Sequence, residues 1–422
     1  EGEISGIGRI WADGVEIAQD TLGPRVYHGT EDQLPDPKIE AVEGAGRAPA
    51  YRGTAYVLLE DLALAPFGNR VPQFAIETIR PAPADEPVGA FSPARAVRAV
   101  AMLPGCGEYA LATTPVSFDE GHGRVRMANV HTASGTSDFA TALDQMDASL
   151  VACEGVSLVV SWFGDDLRCG ACEVRPRVEQ TLADGRGMPW RVAGLSRAAA
   201  GEVGRDGDDR PVYGGTPADA SVIEAIRELN ARGKRVMFYP FVLMEQMADN
   251  GLPDPWSTAG NQPVLPWRGR ITCSVAPGRE GSPDGTATAA EEVAAFFGTA
   301  AASDFSVAGG VHYTGPAEWR FRRFILHCAA LCAAAGGVDA FCIGSEMRGL
   351  TQLRGPGNTF PAVAALRALA AEVRALLPDA KIGYAADWSE YFGYHPQDGS
   401  GDVFFHLDPL WADDTIDFVG ID

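Results

Sequence analysis

The sequence predicts a mixed α/β plus all-β protein: a small β-rich domain followed by an incomplete (β/α)8 barrel. Three observations lead there. Residues 1 to about 80 alternate short β-forming runs with turns. From about residue 137 the pattern changes to alternating strands and helices, and the strands are apolar on both faces, as buried parallel strands are. No Gly-x-Gly-x-x-Gly follows the first of these strands and no P-loop occurs, so an open nucleotide-binding sheet has no support.

In the β-rich part, Ile7 to Ile17 reads as two short strands turning at Asp13-Gly14. Tyr27 to Pro37 reads as a loop. A strand is expected over residues 51–60, a turn at Phe67-Gly68-Asn69-Arg70 and a further strand over 71–79. Tyr56, Leu58, Phe67 and Phe74 supply apolar surface. A domain this small buries little area alone, so part of that surface is expected to lie against neighbouring subunits. Residues 81–95, rich in Pro, Ala and Gly, read as linker. Residues 96–136 carry strand-like pieces at 109–118 and 124–130 that belong clearly to neither neighbour. The expected boundaries are therefore 1–80, 81–136 and 137–422, with the barrel ending after its sixth strand.

In the barrel part, Ser137 is placed to cap a helix with Phe139, Leu143, Met146 and Leu150 at helical spacing. A first strand is expected at 156–162 and a second at 190–195. Thr216-Pro217 is read as a capped helix start, with Val222, Ile223, Ile226 and Leu229 inward and Gly233 as the stop. A third strand follows at 235–243, an amphipathic helix at 321–332 and a fourth strand at 338–345. A helix from Phe360 to Leu376, ended by Pro378, leads to strands at 381–386 and 416–421.

Composition narrows the function. There are 34 basic and 56 acidic residues, for a formal net charge of −22. Such a field repels phosphate, so broad nucleic-acid binding is not expected. No apolar run reaches the ~18 residues of a membrane-spanning helix. The chain begins at Glu1 with no recognisable signal peptide and ends abruptly in a strand, so both ends read as cuts. Eight cysteines are scattered without a disulfide pattern, which fits synthesis in a reducing bacterial cytoplasm. Cys169-Gly-Ala-Cys172 is the one pair with ligand-like spacing. A single C-x-x-C with no nearby His reads as two loop thiols rather than a metal site, and no metal or other cofactor is expected. Neither a His-Glu-x-x-His nor a Gly-x-Ser-x-Gly motif occurs.

A barrel of this class carries its chemistry at the C-terminal ends of the strands. The residues there are Trp162, Tyr239, Glu346, Asp387 with Trp388, and Asp422, with Glu390 and Tyr391 just beyond. Aromatic faces stack on sugar rings and carboxylates accept hydroxyl hydrogens, which points to a carbohydrate cleft. Glycoside cleavage needs two carboxyl groups. Glu346, directly after Gly344-Ser345, is the best-placed acid, and Trp162 and Trp388 are candidates to desolvate it. Solvated, capping or rim-packing roles are the plain alternatives for all of these side chains. The long stretch from Met244 to Ser274, with Trp256, Trp267, Arg268 and Arg270, reads as a binding loop or lid, or a surface insertion.

Several stretches also resemble a known family. Tyr51-Arg-Gly-Thr-Ala-Tyr-Val57 and Leu62-Ala-Leu-Ala-Pro-Phe-Gly-Asn-Arg-Val-Pro-Gln-Phe74 look like the hub segment of siphophage tail-tip proteins. Ser157 to Leu167 and Ile343-Gly-Ser-Glu-Met-Arg-Gly-Leu-Thr351 resemble the large tail protein of gene transfer agents, phage-like particles that carry host DNA between bacteria. That resemblance spans the chain. It implies a particle tail-baseplate protein with a TIM-barrel-like domain, partnered by other baseplate proteins, by copies of itself in a ring and by host-envelope glycan. The barrel in turn is similar to retaining β-mannanases with Gly-Thr-Glu, Asn-Trp and Gly-Ile-Asp at the fourth, fifth and sixth strands. Gly344-Ser345-Glu346, Asp387-Trp388 and Gly420-Ile421-Asp422 stand at those places. The similarity implies Glu346 as general acid/base, with Asp387 in place of the usual Asn and the clan's nucleophile on a seventh strand beyond Asp422. It favours glycan binding over turnover. A free glycoside hydrolase with an accessory β module, and a carbohydrate-binding adhesin with an inactive barrel, are the rival expectations.

Overall fold

A computed structural model describes residues 2–80, 92–104 and 107–422. Most of the expected linker, residues 81–91, and Cys106 lie outside the described residues. The chain divides into two compact units, residues 1–99 with 130–154, and residues 100–129 with 155–422. The helix Asp138–Ser149, capped by the Ser137 hydroxyl as expected, belongs to the first unit by this division.

In the first unit, Gly6–Ala12 pairs antiparallel with Val15–Ile17 and with Phe74–Ile79. Asp13 and Gly14 make the turn with φ of 52° and 82°, left-handed values that suit Asp-Gly. A second pair joins Arg25–Tyr27 to Tyr56–Leu58, with the rings of Tyr27 and Tyr56 stacked at 4.4 Å. Only three residues of the expected 51–60 strand are extended. The stretch expected as loop runs into a helix, Pro37–Glu43. Asp36 caps it, accepting from the amides of Lys38 and Ile39, and Pro37 takes the first helical position, where its missing N–H costs nothing.

The second unit is built on a parallel sheet that curls into half a barrel. Its strands are β1 (Ala99–Met102), β2 (Gly155–Gly164), β3 (Arg235–Met244), β4 (Ala340–Ser345), β5 (Lys381–Ala386) and β6 (Phe418–Ile421). β2 through β6 lie side by side in chain order and pair in parallel. β2 and β3 pair over their full lengths, Gly155↔Arg235 to Gly164↔Met244. β1 pairs with β2, and the short strand Val174–Arg175 runs antiparallel to the last residues of β2. Counted across the sheet, Glu346 follows the fourth strand, Asp387 the fifth and Asp422 the sixth.

The strand expected at 190–195 is not part of this sheet. Ala193 and Gly194 take φ of 48° and 85° and fold the segment into a two-residue hairpin, Arg191–Val192 with Leu195–Ser196, too short to span the barrel wall. The first barrel strand is instead β1, four residues of alternating exposure. The piece expected at 109–118 is mostly turn. A hairpin follows it, Ser117–Gly121 with Arg124–Met127.

Val159, Tyr239, Cys342 and Ala385, one from each of β2 to β5, meet on the inner face. The outer face carries α1 (Asp219–Ala231), α2 (Ala287–Phe297), α3 (Phe321–Ala335) and α4 (Pro361–Leu376). α1 starts three residues later than its expected cap. The Thr216 hydroxyl instead accepts from the Arg177 amide and donates to the Ser161 carbonyl, tying the loop to β2.

Trp162 was expected in the cleft. It stands on the opposite face from Val159, fully buried, with its ring 5.0 Å from Phe324 of α3 and 5.5 Å from His327. It is part of the seam between sheet and helices and offers no face to a ligand. Removing a buried aromatic of this size costs roughly 3–5 kcal/mol. Trp162→Ala is therefore expected to lower the midpoint of urea unfolding of the barrel by that equivalent, as followed by near-ultraviolet circular dichroism. A loss below about 1 kcal/mol would contradict this packing role.

Candidate functional site

The loops leaving β3, β4 and β5 enclose a cleft of about 750 Å³ at the C-terminal ends of the strands. Its wall after β3 includes Trp256, Trp267 and Arg270. Arg348 comes from the turn after β4, and Phe392 and Tyr394 from the segment after β5.

The wall after β3 is tied down by buried polar groups. Gln262 accepts from the Leu167 amide at 2.9 Å and donates to Asp166 at 2.7 Å, while the Cys169 amide donates to the Thr272 carbonyl at 2.6 Å. The Trp256 indole N–H donates to the Arg270 carbonyl at 2.7 Å. The β4 turn packs tightly on this wall: a side chain at Gly349 would meet the carbonyl oxygens of Ile271 and Gly269 at 2.7 and 2.9 Å.

Glu346 leaves β4 with φ of 48°, a left-handed conformation that costs a non-glycine residue about 1 kcal/mol or more. Two hydrogen bonds hold it there. Its own amide donates to the Ala385 carbonyl at 2.8 Å, and the next amide, Met347, donates to the Tyr384 hydroxyl at 2.8 Å. The carboxylate is then met by donors only, the Trp267 indole N–H at 2.5 Å and an Arg268 nitrogen at 3.1 Å. Arg268 is itself fixed by the Ser345 carbonyl and hydroxyl and by the Phe241 ring, 3.7 Å below its guanidinium.

Residues 319–422 match the GTA TIM-barrel-like domain family. Over these residues the chain is similar to that family. A segment covering 19% of the chain is 71% identical to part of a chain in the virion of a native gene transfer agent particle, of which it covers 18%, with a TM-score of 0.18. A GH113 β-1,4-mannanase in complex aligns with 66% of this chain at 14% identity and a TM-score of 0.32. The GH113 β-mannanase of Alicyclobacillus acidocaldarius in complex with ManMIm aligns with 64% at 15% identity and 0.30. The chain spans about half the length of these enzymes, 53% and 50%. No curated protein matches it. The expectation of a gene transfer agent protein with a TIM-barrel-like domain is thus met over residues 319–422.

Glu346, Asp387 with Trp388 and Asp422 gather at the ends of neighbouring strands, whereas Tyr239, expected at a strand end, lies midway along β3, which runs on to Met244. The Tyr239 hydroxyl, on the inner face, donates to Asp422, and burial pushes its own ionisation well above the usual tyrosine range. The Asp422 amide donates to Ala386, and the Trp388 amide to the Asp422 carbonyl. Trp388 is 62% exposed, with its ring edge-on to Phe392. Asp387 has a structural task. Its carboxylate caps the short helix Trp388–Tyr391 at Ser389, and Glu390 caps back onto the Asp387 amide at 2.8 Å. Trp162 is remote, and none of Tyr239, Glu346, Asp387, Trp388 and Asp422 is itself among the residues lining the cleft. Trp267 and Arg268, the direct partners of Glu346, stand out in the sequence only as a Trp-Arg cluster in a long loop.

Cys169, Cys172 and Cys273 are buried, and burial pushes their thiols up, that of Cys273 to about 11. Among the described residues no group of three or more His, Cys, Asp or Glu is arranged to hold a metal ion, and no helix is long and apolar enough to cross a membrane.

Two buried groups behind the cleft titrate in opposite senses. Glu390 accepts from the Thr351 hydroxyl at 2.6 Å and from Tyr384, and burial raises it to about 7. His406, packed beside Phe360 and Tyr394 without a ring hydrogen bond, is lowered by burial to about 4. The folded protein holds the Glu390 proton more tightly than the unfolded chain, so this group's stabilisation fades as pH rises from about 4.5 to about 7, by about 3 kcal/mol. His406 acts the other way: the unfolded chain gains the proton first, so stability falls as pH drops from about 6.5 towards about 4. The two effects offset each other in the wild type. In Glu390→Gln the His406 effect is unmasked, and stability is expected to climb with pH between 4.5 and 6.5. Urea midpoints at four pH values check this, and a variant with the wild-type pH profile would overturn the role given to Glu390.

Proposed function

We propose that this chain is a structural component of the tail baseplate hub of a gene transfer agent particle, whose barrel presents its cleft to host-envelope glycan. The match of residues 319–422 to the gene transfer agent domain carries the particle half of this reading. The first unit suits assembly. Val15, Leu34, Val42 and Val71 each leave more than two thirds of their surface exposed, apolar area that subunit contacts would cover. In the ring, residues 1–80 form the subunit contacts.

The glycan half rests on the cleft, with two indole rings in its wall and Glu346 bonded to one of them. Glu346, one fifth exposed beside Trp267 and just outside the cleft lining itself, is the acid assigned to the sugar. As a carboxylate it accepts a hydroxyl hydrogen; as the acid of a complete carboxyl pair it protonates the leaving oxygen. Its present partners are both donors, an arrangement suited first to binding.

The test uses the full-length protein on host-envelope polysaccharide, comparing wild type with Glu346→Gln. Positioned acid–base catalysis is worth roughly 10²- to 10⁴-fold. Loss of that factor in the variant, with sugar binding kept, supports a proton-transfer role. Binding without hydrolysis in either protein supports a binding barrel, and no binding by either refutes the glycan reading. Light scattering and electron microscopy of the same protein check the hub: a stable monomer with no affinity for other tail proteins would count against it.

A further inference from the structure

The charge of the cleft runs against the charge of the chain. Acidic residues outnumber basic ones 56 to 34 overall. Yet among the described residues lining the cleft there is no Asp or Glu, while Arg270 and Arg348 both contribute; Glu346 and Asp254 stand behind the lining, at Trp267 and Arg270. Most arginines of this unit are spoken for: Arg168 by Asp166, Arg177 by Glu245, Arg197 by Glu108 and Arg354 by Asp284. Of the two in the cleft, Arg348 has no such partner among the described residues and Arg270 only a long one. The Arg348 side chain pairs with no carboxylate among the described residues. The nearest carboxylate to Arg270 is Asp254 at 3.9 Å, whose oxygens already accept from the Trp256 amide and the Ser257 hydroxyl.

We infer that the cleft takes an anionic glycan, one whose sugar units carry carboxylates; this rests on the glycan reading above and adds the chemical class of the ligand. Arg270 and Arg348 each offer a planar fork that fits a carboxylate through two N–H groups. Trp256 and Trp267 supply flat faces for the rings between the charges. Arg270 lies over the Trp256 ring at 5.8 Å, so a charged contact and a stacking face adjoin each other. The absence of acids from the lining has a physical purpose here. At a net charge of −22 the protein repels anions at a distance. Physiological salt screens that field within about 8 Å, so inside the cleft the local arginines decide the sign. A neutral sugar needs neither the arginines nor the exclusion of carboxylates.

The experiment measures binding to the full chain by tryptophan fluorescence and calorimetry at physiological salt. The probes are an oligogalacturonate, a manno-oligosaccharide of equal length and a polyglutamate of equal charge. The oligogalacturonate is expected to bind at least about tenfold more tightly than either other probe. Arg348→Ala and Arg270→Ala should each weaken it by about tenfold, roughly one charged hydrogen-bonded contact, and leave the neutral sugar unaffected. Equal or tighter binding of the neutral sugar, or unchanged affinity in both variants, overturns the inference while the glycan reading stands. Equal binding of polyglutamate overturns it as well, since the cleft would then sense charge without sugar. If no saccharide binds, the glycan reading itself fails and the inference with it. Circular dichroism of each variant confirms that it is folded.

Discussion

The hydroxyl of Tyr384 joins the two turns from which the cleft is built. It receives the Met347 N–H at the end of β4 and bonds to Glu390 in the short helix after β5. Through the first contact it holds Glu346 in a backbone conformation the residue would not choose alone. Through the second it fixes the turn bearing Asp387 and Trp388. Strain of this kind persists only where neighbours over-determine it. The direction of the Glu346 side chain, and hence its meeting with Trp267 and Arg268, follows from that clamp.

The carboxylates at the strand ends divide their work accordingly. Asp387 and Glu390 cap each other's helix turn, and Asp422 answers the buried Tyr239. Only Glu346 is partnered by side chains of the cleft wall. A shared position at the strand ends therefore does not make a shared role: the nature of the donors separates the acids tied to backbone, hydroxyl and tyrosine groups from Glu346, tied to a side chain of the cleft wall.

The sheet was largely legible because parallel strands buried on both faces leave continuous apolar runs, and β2 to β5 declare themselves that way, while β6, half exposed, shows as a short β-branched run. β1 did not: four residues beside a proline-rich stretch carry too little pattern. The same double burial hid the orientation of Trp162. When both faces of a strand are apolar, the alternation that tells inside from outside is absent, and only the packing of α3 shows which face Trp162 serves. The site was legible where it lies at strand ends and illegible where it lies in the loop after β3. Trp267 and Arg268 reach Glu346 across 79 and 78 positions of chain, a distance no local periodicity encodes. The clamp at Tyr384 is likewise a contact between elements, invisible until β4 and β5 are side by side.

The anchoring of the wall after β3 sets how a ligand enters. Gln262, Asp166 and the backbone at Cys169 and Thr272 hold it in place through buried hydrogen bonds, each costly to break without replacement. A segment so held is a fixed rim and not a door. Entry is then a matter of diffusion into a preformed groove, the ordering entropy having been settled when the chain folded. Under the glycan reading proposed above, a particle that meets a surface in brief collisions would gain from that arrangement, because capture need not wait for a slow closing motion.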